Sequence, residues 1–475
     1  MFFWLFILAL TLFKVWLSQF LPLLGDEAYY SLWSQHLALS YVDHPPLIAY
    51  INWLINHILG QSEFAIRLTA IIGILLATGL VYLIGKEAFG KKAGLASAFL
   101  FNLIPTFLAG GMFLTPEQPL LFFWLLATYL ALKLIKTQKA RYWLLLGIIV
   151  GLGLLSKFPM LLFFPGILLF LILSKENRRW LTRVEPYLGL IFAMLVFSPV
   201  IYWNIQQHFP SFVYHGSRLS SPHYFENILT FFVLQFLMYS PPLFTFLCRQ
   251  FFYGFWENLK TTDNRSLLLS SLSLPAFFAF LFACPFTQIG GHWTSIIYPG
   301  LIIVFCYQLL SKFPNPLYNR KIWFSLGVIV LLDVLFISYY AFLFPVPAEI
   351  KGNEYRINSQ LEQYIKDNKP TYVYSNQMGV GSLVAFYGKT EVYLPKGYWK
   401  QFDIWGEPVL KKGESIIYFA FDAPLVDSAV SVIETDLRKQ FHSVKKDPHI
   451  RLFAKDSDIT LKTQIFICRG YQAVF

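Results

Sequence analysis

Asp26, Glu27 and Asp43 are the acids of residues 25–62, a stretch without Lys or Arg that follows directly on an apolar N-terminal run. A carboxylate beside hydrocarbon is costly, so acids at a membrane boundary are candidates for function. A plainer role is structural: Asp26 caps a helix lying along the interface and Glu27 is solvated in its first turn. Further along, isolated polar residues recur between apolar runs. They are His44, Glu63 and Arg67, then Glu117 in Thr115-Pro116-Glu117-Gln118-Pro119, Lys157 in Ser156-Lys157-Phe158-Pro159, and His208, His215, Arg218 and His223 between residues 202 and 225. His292 follows in Gln288-Ile289-Gly290-Gly291-His292-Trp293. A cavity lined by a few acids and a few isolated cations suits a substrate with an anionic centre and a hydroxyl to activate.

Lys157 is the sharpest case, because it stands alone in an apolar hairpin. Either it meets a fixed anion, such as a lipid phosphate or diphosphate, or it snorkels to headgroups. Arg218 has the geometry to clamp a phosphate with two hydrogen bonds, and Arg67 is spaced to pair with Glu63 at i,i+4 on a helix. The tandem Pro45-Pro46 forces an extended segment and restarts a helix at Leu47, which holds Asp43 and His44 at a corner. There they face a substrate, or Asp43 caps the helix. Asp43 with His44, His215 or His292 is a candidate divalent-metal set, although no pair has a recognised ligand spacing. Cys248, Cys284, Cys306 and Cys468 lie far apart and define neither a zinc site nor a disulfide framework.

The elements that must position these residues are membrane spans. Of 475 residues 56% are hydrophobic and only 14% charged, proportions that suit a polytopic membrane protein rather than a soluble globule. Apolar segments of spanning length fall at about 2–24, 64–85, 93–112, 118–136, 142–156, 159–174, 184–204, 227–248, 266–284, 295–311 and 322–343. The fifth and sixth are short and joined by a tight turn, so they are expected to be tilted or partly re-entrant. The N-terminal run has no basic leader and no small-residue cleavage site, which favours an uncleaved first span over a signal peptide. Lys14 within it is expected to snorkel to an interface.

With the N-terminus inside, the inner loops hold 17 Lys and Arg and the outer loops only Arg67, Lys157 and Arg218. That asymmetry sets the orientation, with a cytoplasmic N-terminus. It also explains the net charge of +11 without nucleic acid as a partner. After Phe344-Pro345-Val346-Pro347 the composition changes, and residues 348–475 carry 17 basic and 15 acidic residues. Strand-like runs at Thr371–Tyr374, Leu383–Tyr387, Glu391–Leu394, Ser415–Phe421 and Gln464–Cys468 alternate with helical patterns at Ser359–Lys369 and Asp427–Phe441. The expected organisation is a membrane domain over 1–343, with a first outer loop at 25–62, and a soluble α/β domain over 344–475 on the outer face.

Several of these motifs occur together and in one order. Asp26-Glu27 after the first span, Tyr41-Val42-Asp43-His44-Pro45-Pro46-Leu47, and Gly60 to Leu68 resemble the polyprenyl-phosphate-sugar glycosyltransferases of the protein mannosyltransferase and lipid A aminoarabinose transferase superfamily. Thr115 to Leu120, Gly153-Leu154-Leu155-Ser156-Lys157, and Trp203-Asn204 to Ser211-Phe212 extend the resemblance over about 300 residues. Phe386-Tyr387-Gly388 and Phe402-Asp403-Ile404-Trp405 are similar to the outer domain of bacterial members.

The resemblance implies a polytopic α-helical GT-C fold with a cavity open to the outer leaflet of a bacterial inner membrane, and a periplasmic C-terminal domain. It also implies inverting transfer of a sugar from a polyprenyl (undecaprenyl) phosphate. The acceptor is lipid A, another envelope glycan, or a protein Ser or Thr. By that resemblance Asp26 acts as base or positions the acceptor. Glu117 stands where many members have Asp, and Lys157, with Arg218, meets the donor phosphate. Glu27, Tyr30, Asp43, His44, Arg67 and His292 complete the candidate substrate contacts. His44 replaces the Lys of aminoarabinose transferases, so that sugar is not implied. Rival classes are a lipid-linked glycan polymerase and a flippase. A flippase places ionisable groups at mid-membrane, whereas here, apart from Lys14 and Asp333, they collect at span ends.

Overall fold

The computed structural model describes residues 2–19, 23–220, 223–249, 263–313, 320–338, 361–422, 429–447 and 462–472. In chain order the helices of its larger part are α1 (Phe2–Ser18), α2 (Gly25–Trp33), α3 (Leu47–Leu59), α4 (Glu63–Phe89), α5 (Lys91–Leu103), α6 (Pro105–Leu108) and α7 (Glu117–Thr137). There follow α8 (Arg141–Leu154), α9 (Phe163–Leu173), α10 (Glu185–Gln206), α11 (Pro210–Ser217), α12 (Tyr224–Met238), α13 (Pro241–Arg249), α14 (Asn264–Ala283), α15 (Tyr298–Lys312) and α16 (Arg320–Ser338).

Chain contacts divide the protein into two compact units. The first holds residues 1–15, 38–51 and 67–337. The second holds residues 16–37, 52–66 and 338–475, so the chain passes between units within α1, between α2 and α3, within α3 and α4, and at the end of α16. The expected boundary at 343/344 lies outside the described residues.

The first unit is helical and apolar. Among the described residues α4, α7, α10 and α14 are each long and apolar enough to cross a bilayer, and α5 with Pro105–Met112 is a fifth candidate bent by 80°. Of the other expected spans, those described in full are shorter helices or broken ones, as at 227–248, which divides at Ser240 with a φ of 68°, while 2–24 and 322–343 lie partly outside the described residues. Ile191, Leu195 and Phe282 are large apolar side chains left exposed on α10 and α14, as on a surface that faces lipid. Small residues let backbones meet inside the unit. A Cβ at Gly147 of α8 would collide with the carbonyl oxygen of Gly189 on α10, so these helices cross in direct backbone contact.

Lys14 departs from expectation. It is buried rather than snorkelling, and its Nζ donates to the Phe107 carbonyl at 3.1 Å. The bend between α5 and α6 interrupts the helical ladder, and carbonyls at such a break take partners from outside their own helix.

The second unit contains a five-stranded mixed sheet of β1 (Tyr372–Ser375), β2 (Val392–Tyr393), β3 (Ile416–Asp422), β4 (Phe441–Asp447) and β5 (Lys462–Tyr471). Its order is β2-β1-β3-β5-β4. β1 is parallel to β2 and β3, while β5 runs antiparallel to β3 and β4. Helices α17 (361–368), α18 (Met378–Gly388), α19 (Lys400–Trp405) and α20 (Ala429–Gln440) accompany it.

Four of the five expected strands lie on or within these strands. The fifth, Leu383–Tyr387, is instead the second half of α18. A short apolar run has no decisive period. Here the Gln377 side chain accepts from Val380 N–H at 2.6 Å and starts a helix that is buried almost throughout. The unforeseen strand β4 is an edge strand whose polar His442, Ser443, Lys445 and Lys446 conceal it, as lysines do where a sheet edge must not recruit another chain.

Candidate functional site

In the first unit the tandem prolines act as expected: α3 begins at Leu47, whose N–H donates to the Leu155 carbonyl at 2.9 Å. That bond joins the Asp43-His44 corner to the turn that carries Lys157. A second tie comes from α11. Ser211 Oγ donates to the Tyr41 carbonyl at 3.0 Å, and Asn204 holds the Ser211 N–H at 3.3 Å. His215 Nε2 lies 2.9 Å from the Asp43 carbonyl oxygen; a carbonyl only accepts, so Nε2 carries the proton. Two left-handed residues, His208 (φ 62°) and Phe209 (φ 58°), turn the chain from α10 into α11, which places Arg218 at its end.

Glu117 opens α7, where the helix dipole favours an anion. The neighbouring Gln118 side chain braces this end, accepting from Thr115 N–H at 2.8 Å and donating to the Phe113 carbonyl at 2.6 Å. Lys157 Nζ donates to Glu117 Oε1, and both residues are buried. His292 Nε2 lies 3.6 Å from the same oxygen. The turn that carries His292 is held by Tyr239, whose hydroxyl donates to the Gly291 carbonyl at 3.0 Å and whose ring stacks on Tyr298 at 3.5 Å.

Trp293, beside His292, is a residue the sequence reading passed over. Lys157 Nζ lies 5.1 Å and the Arg218 guanidinium 5.0 Å from its ring. One indole therefore serves two cations, and its π-face offsets part of their mutual repulsion. Arg218 Nη1 also donates to the Tyr214 hydroxyl at 3.1 Å. The signal was an aromatic next to a polar outlier, indistinguishable in a chain that is 19% aromatic.

Lys157, Arg218, Trp293, His44 and His215 line one cavity of about 550 Å³, whose remaining wall is largely Phe158, Leu161, Leu162, Phe197, Phe212 and Phe280. Two cations gathered at one indole in an otherwise apolar chamber fit an amphiphile with an anionic head. The two histidines here are uncharged at neutral pH. Burial, then the nearby Lys157 ammonium, pushes His44 well below the ordinary imidazole range, against a smaller opposing effect of Glu117. Burial also lowers His215, although its bond to the Asp43 carbonyl works the other way.

The candidate metal set is not assembled: among the described residues no three His, Cys, Asp or Glu side chains converge, and His215 meets the backbone of Asp43 rather than its carboxylate. Arg67 is completely buried in the first unit.

Asp26, Glu27 and Tyr30 belong to the second unit. Leu24, not Asp26, occupies the N-cap of α2. Glu27 is buried rather than solvated; its carboxylate reaches back to the Leu24 N–H at 3.0 Å, the position-three half of a capping box. Tyr30 is buried beside it, its ring edge-on to Trp33 at 5.1 Å, while Asp26 is exposed. Glu63 accepts from the Tyr387 hydroxyl at 2.5 Å.

Residues 43–203 match the family described as dolichyl-phosphate-mannose-protein mannosyltransferase. The chain is 26% identical over 324 residues to the lipid A galacturonosyltransferase RgtD of Rhizobium johnstonii, covering 66% of this chain and 66% of that protein. It is 26% identical over 265 residues to undecaprenyl phosphate-alpha-4-amino-4-deoxy-L-arabinose arabinosyl transferase 2 of Proteus mirabilis, covering 51% of this chain and 46% of that one. The matched stretches therefore span about two thirds and less than half of these relatives' own lengths. The crystal structure of ArnT from Cupriavidus metallidurans bound to undecaprenyl phosphate superposes with a TM-score of 0.65 at 14% identity, covering 98% of this chain and 97% of that one. Its fold, the GT-C fold, is that of the helical units and small sheet described above, and the apolar helices mark the chain as a multi-pass membrane protein.

Proposed function

We propose that this protein is an integral-membrane glycosyltransferase that moves a sugar from a polyprenyl-phosphate carrier to an envelope acceptor such as lipid A. The observation that carries the reading is the apolar cavity with Lys157 and Arg218 set around Trp293. Hydrocarbon walls take the polyprenyl chain, and the two cations take its phosphate. The names of the relatives RgtD and the arabinosyl transferase support both donor and acceptor class.

In the proposed reaction an acceptor oxygen attacks the anomeric carbon as the bond from that carbon to the phosphate oxygen breaks, with inversion. The bonding pair leaves with the polyprenyl phosphate, a weak base that needs charge stabilisation rather than a proton. Asp26 takes the acceptor hydroxyl proton. If the acceptor is itself a phosphate no base is needed, and Asp26 orients the sugar. Glu117 fixes the ammonium of Lys157 and leaves its remaining N–H donors for the phosphate. The excess of basic residues on one side supports an inner-membrane protein with a cytoplasmic N-terminus and its chemistry on the periplasmic face.

The test uses purified protein with a polyprenyl-phosphate sugar and neither nucleotide sugar nor ATP. Release of polyprenyl phosphate coupled to acceptor glycosylation is expected; an obligate need for a nucleotide sugar or ATP rejects the reading. The mannosyltransferase family match to residues 43–203 favours a second acceptor, a protein Ser or Thr. Mass analysis of envelope lipids and glycoproteins from a strain lacking the protein separates the two.

A further inference from the structure

The second unit brings two distant segments onto one phenol. Tyr387 of α18 accepts from the Leu23 N–H at 3.3 Å, just before α2, and donates to Glu63 Oε1 at 2.5 Å, the first residue of α4. Beside it Gly25, the first residue of α2, packs on Gly379, the second residue of α18, so closely that a Cβ on Gly25 would fall 2.9 Å from the Gly379 Cα. A second grip comes from α19 and the residue before it. Trp399 Nε1 donates to the Tyr29 hydroxyl at 3.0 Å, and the Tyr29 ring lies nearly parallel to Phe402, tilted by 15°. Glu27 through Trp33 are buried in these contacts, and Asp26 is left exposed at the helix's first turn.

We propose that the C-terminal α/β region is a positioning device for Asp26, with Tyr387 as the pin that sets where the first turn of α2 stands. The proposal rests on the reading that Asp26 is the acceptor-side carboxylate. A nine-residue helix is too short to hold itself in water, so its position is set by what packs on it. Two glycines in contact leave no slack: a side chain at Gly25 meets backbone rather than a flexible side-chain tip. The phenol joins this junction to the start of α4, so a shift of α18 displaces α2 directly. Tyr387 acts through Asp26 without touching substrate, and is therefore a positioning residue. Misplacing a reacting group by about 1 Å costs on the order of 100-fold in rate.

The experiment compares full-length wild type, Tyr387→Phe, Gly25→Ala and Asp26→Asn by steady-state transfer and by amide exchange across α2. Tyr387→Phe removes both hydrogen bonds and keeps the ring. It is expected to lower kcat about 10-fold with donor KM within about twofold, because Lys157 and Arg218 are untouched, and to speed exchange at the amides of Ala28 to Leu32. Gly25→Ala is expected to lower kcat further by the same route, and it serves as the test if Tyr387→Phe does not fold. An unchanged kcat in both variants beside an inactive Asp26→Asn overturns the positioning role alone. So does a rise in donor KM at constant kcat. Full activity of Asp26→Asn overturns the assignment of Asp26 itself and the positioning role with it.

Discussion

Lys157 and Glu117 form a buried ion pair between residues 40 positions apart, one on the turn after α8 and the other at the first position of α7. Removing one partner of such a pair strands the other charge, which costs about 3–5 kcal/mol. Glu117→Ala and Lys157→Ala are each expected to lower thermal stability in detergent. The double change Glu117→Gln with Lys157→Met is expected to recover most of that loss, since a well-packed uncharged pair is close to neutral. It should not recover transfer. Unfolding curves and a donor-turnover assay on the three proteins check this; recovered activity in the double variant removes both residues from the mechanism.

Asp26→Asn keeps the size of the side chain and removes the carboxylate's charge and basicity. General base catalysis contributes about 10²–10⁴-fold, so transfer to a hydroxyl acceptor is expected to fall by at least about 100-fold. Unfolding temperature should hold within about 2 °C, as for an exposed surface change. With a phosphate acceptor the same variant loses far less, so the ratio of the two losses reports which acceptor is used.

Arg218 and Lys157 share the Trp293 ring, and Trp293→Leu removes the face while leaving both charges. The donor KM is expected to rise about 5- to 10-fold, in keeping with a cation–π contribution of about 0.5–0.7 kcal/mol from each of the two cations. Arg218→Ala should raise it at least as much. Donor titrations of the initial rate decide the point, and a KM equal to wild type in both variants leaves Lys157 alone at the phosphate.

His44 and His215 both titrate below the ordinary imidazole range in the folded protein. The unfolded chain therefore binds more protons than the folded one as the pH drops through about 6.5, and stability falls with it. Above that value the stability is fully present; it is lost progressively as the pH falls toward the lowered folded values. Melting temperature measured from pH 7.5 to 5 is expected to decline, with a shallower slope in the variant His44→Gln with His215→Gln. Identical slopes in the two proteins contradict the buried, neutral state of these rings.

Much of this site was legible without coordinates because the solvent is lipid. A charge in an apolar setting is expensive, so Glu117, Lys157, Arg218 and His292 announce themselves by standing alone. The tandem prolines locate the corner at Asp43 and the start of α3 for a local reason, since they constrain the backbone whatever surrounds it. Strands β1, β2, β3 and β5 were readable from runs of β-branched and aromatic residues.

Other features depend on contacts made across the chain. Buried runs lack a polar face to show their period, so nothing local marked Leu383–Tyr387 as helix. Lys14 was expected at an interface and instead meets the carbonyl of a bent helix some ninety positions on. Trp293 acquires a role only when two cations from separate loops arrive at its ring, and Tyr387 only when Leu23 and Glu63 meet its hydroxyl. Residue types and their cost in lipid are properties of the sequence, whereas which isolated group meets which is set by how the helices pack.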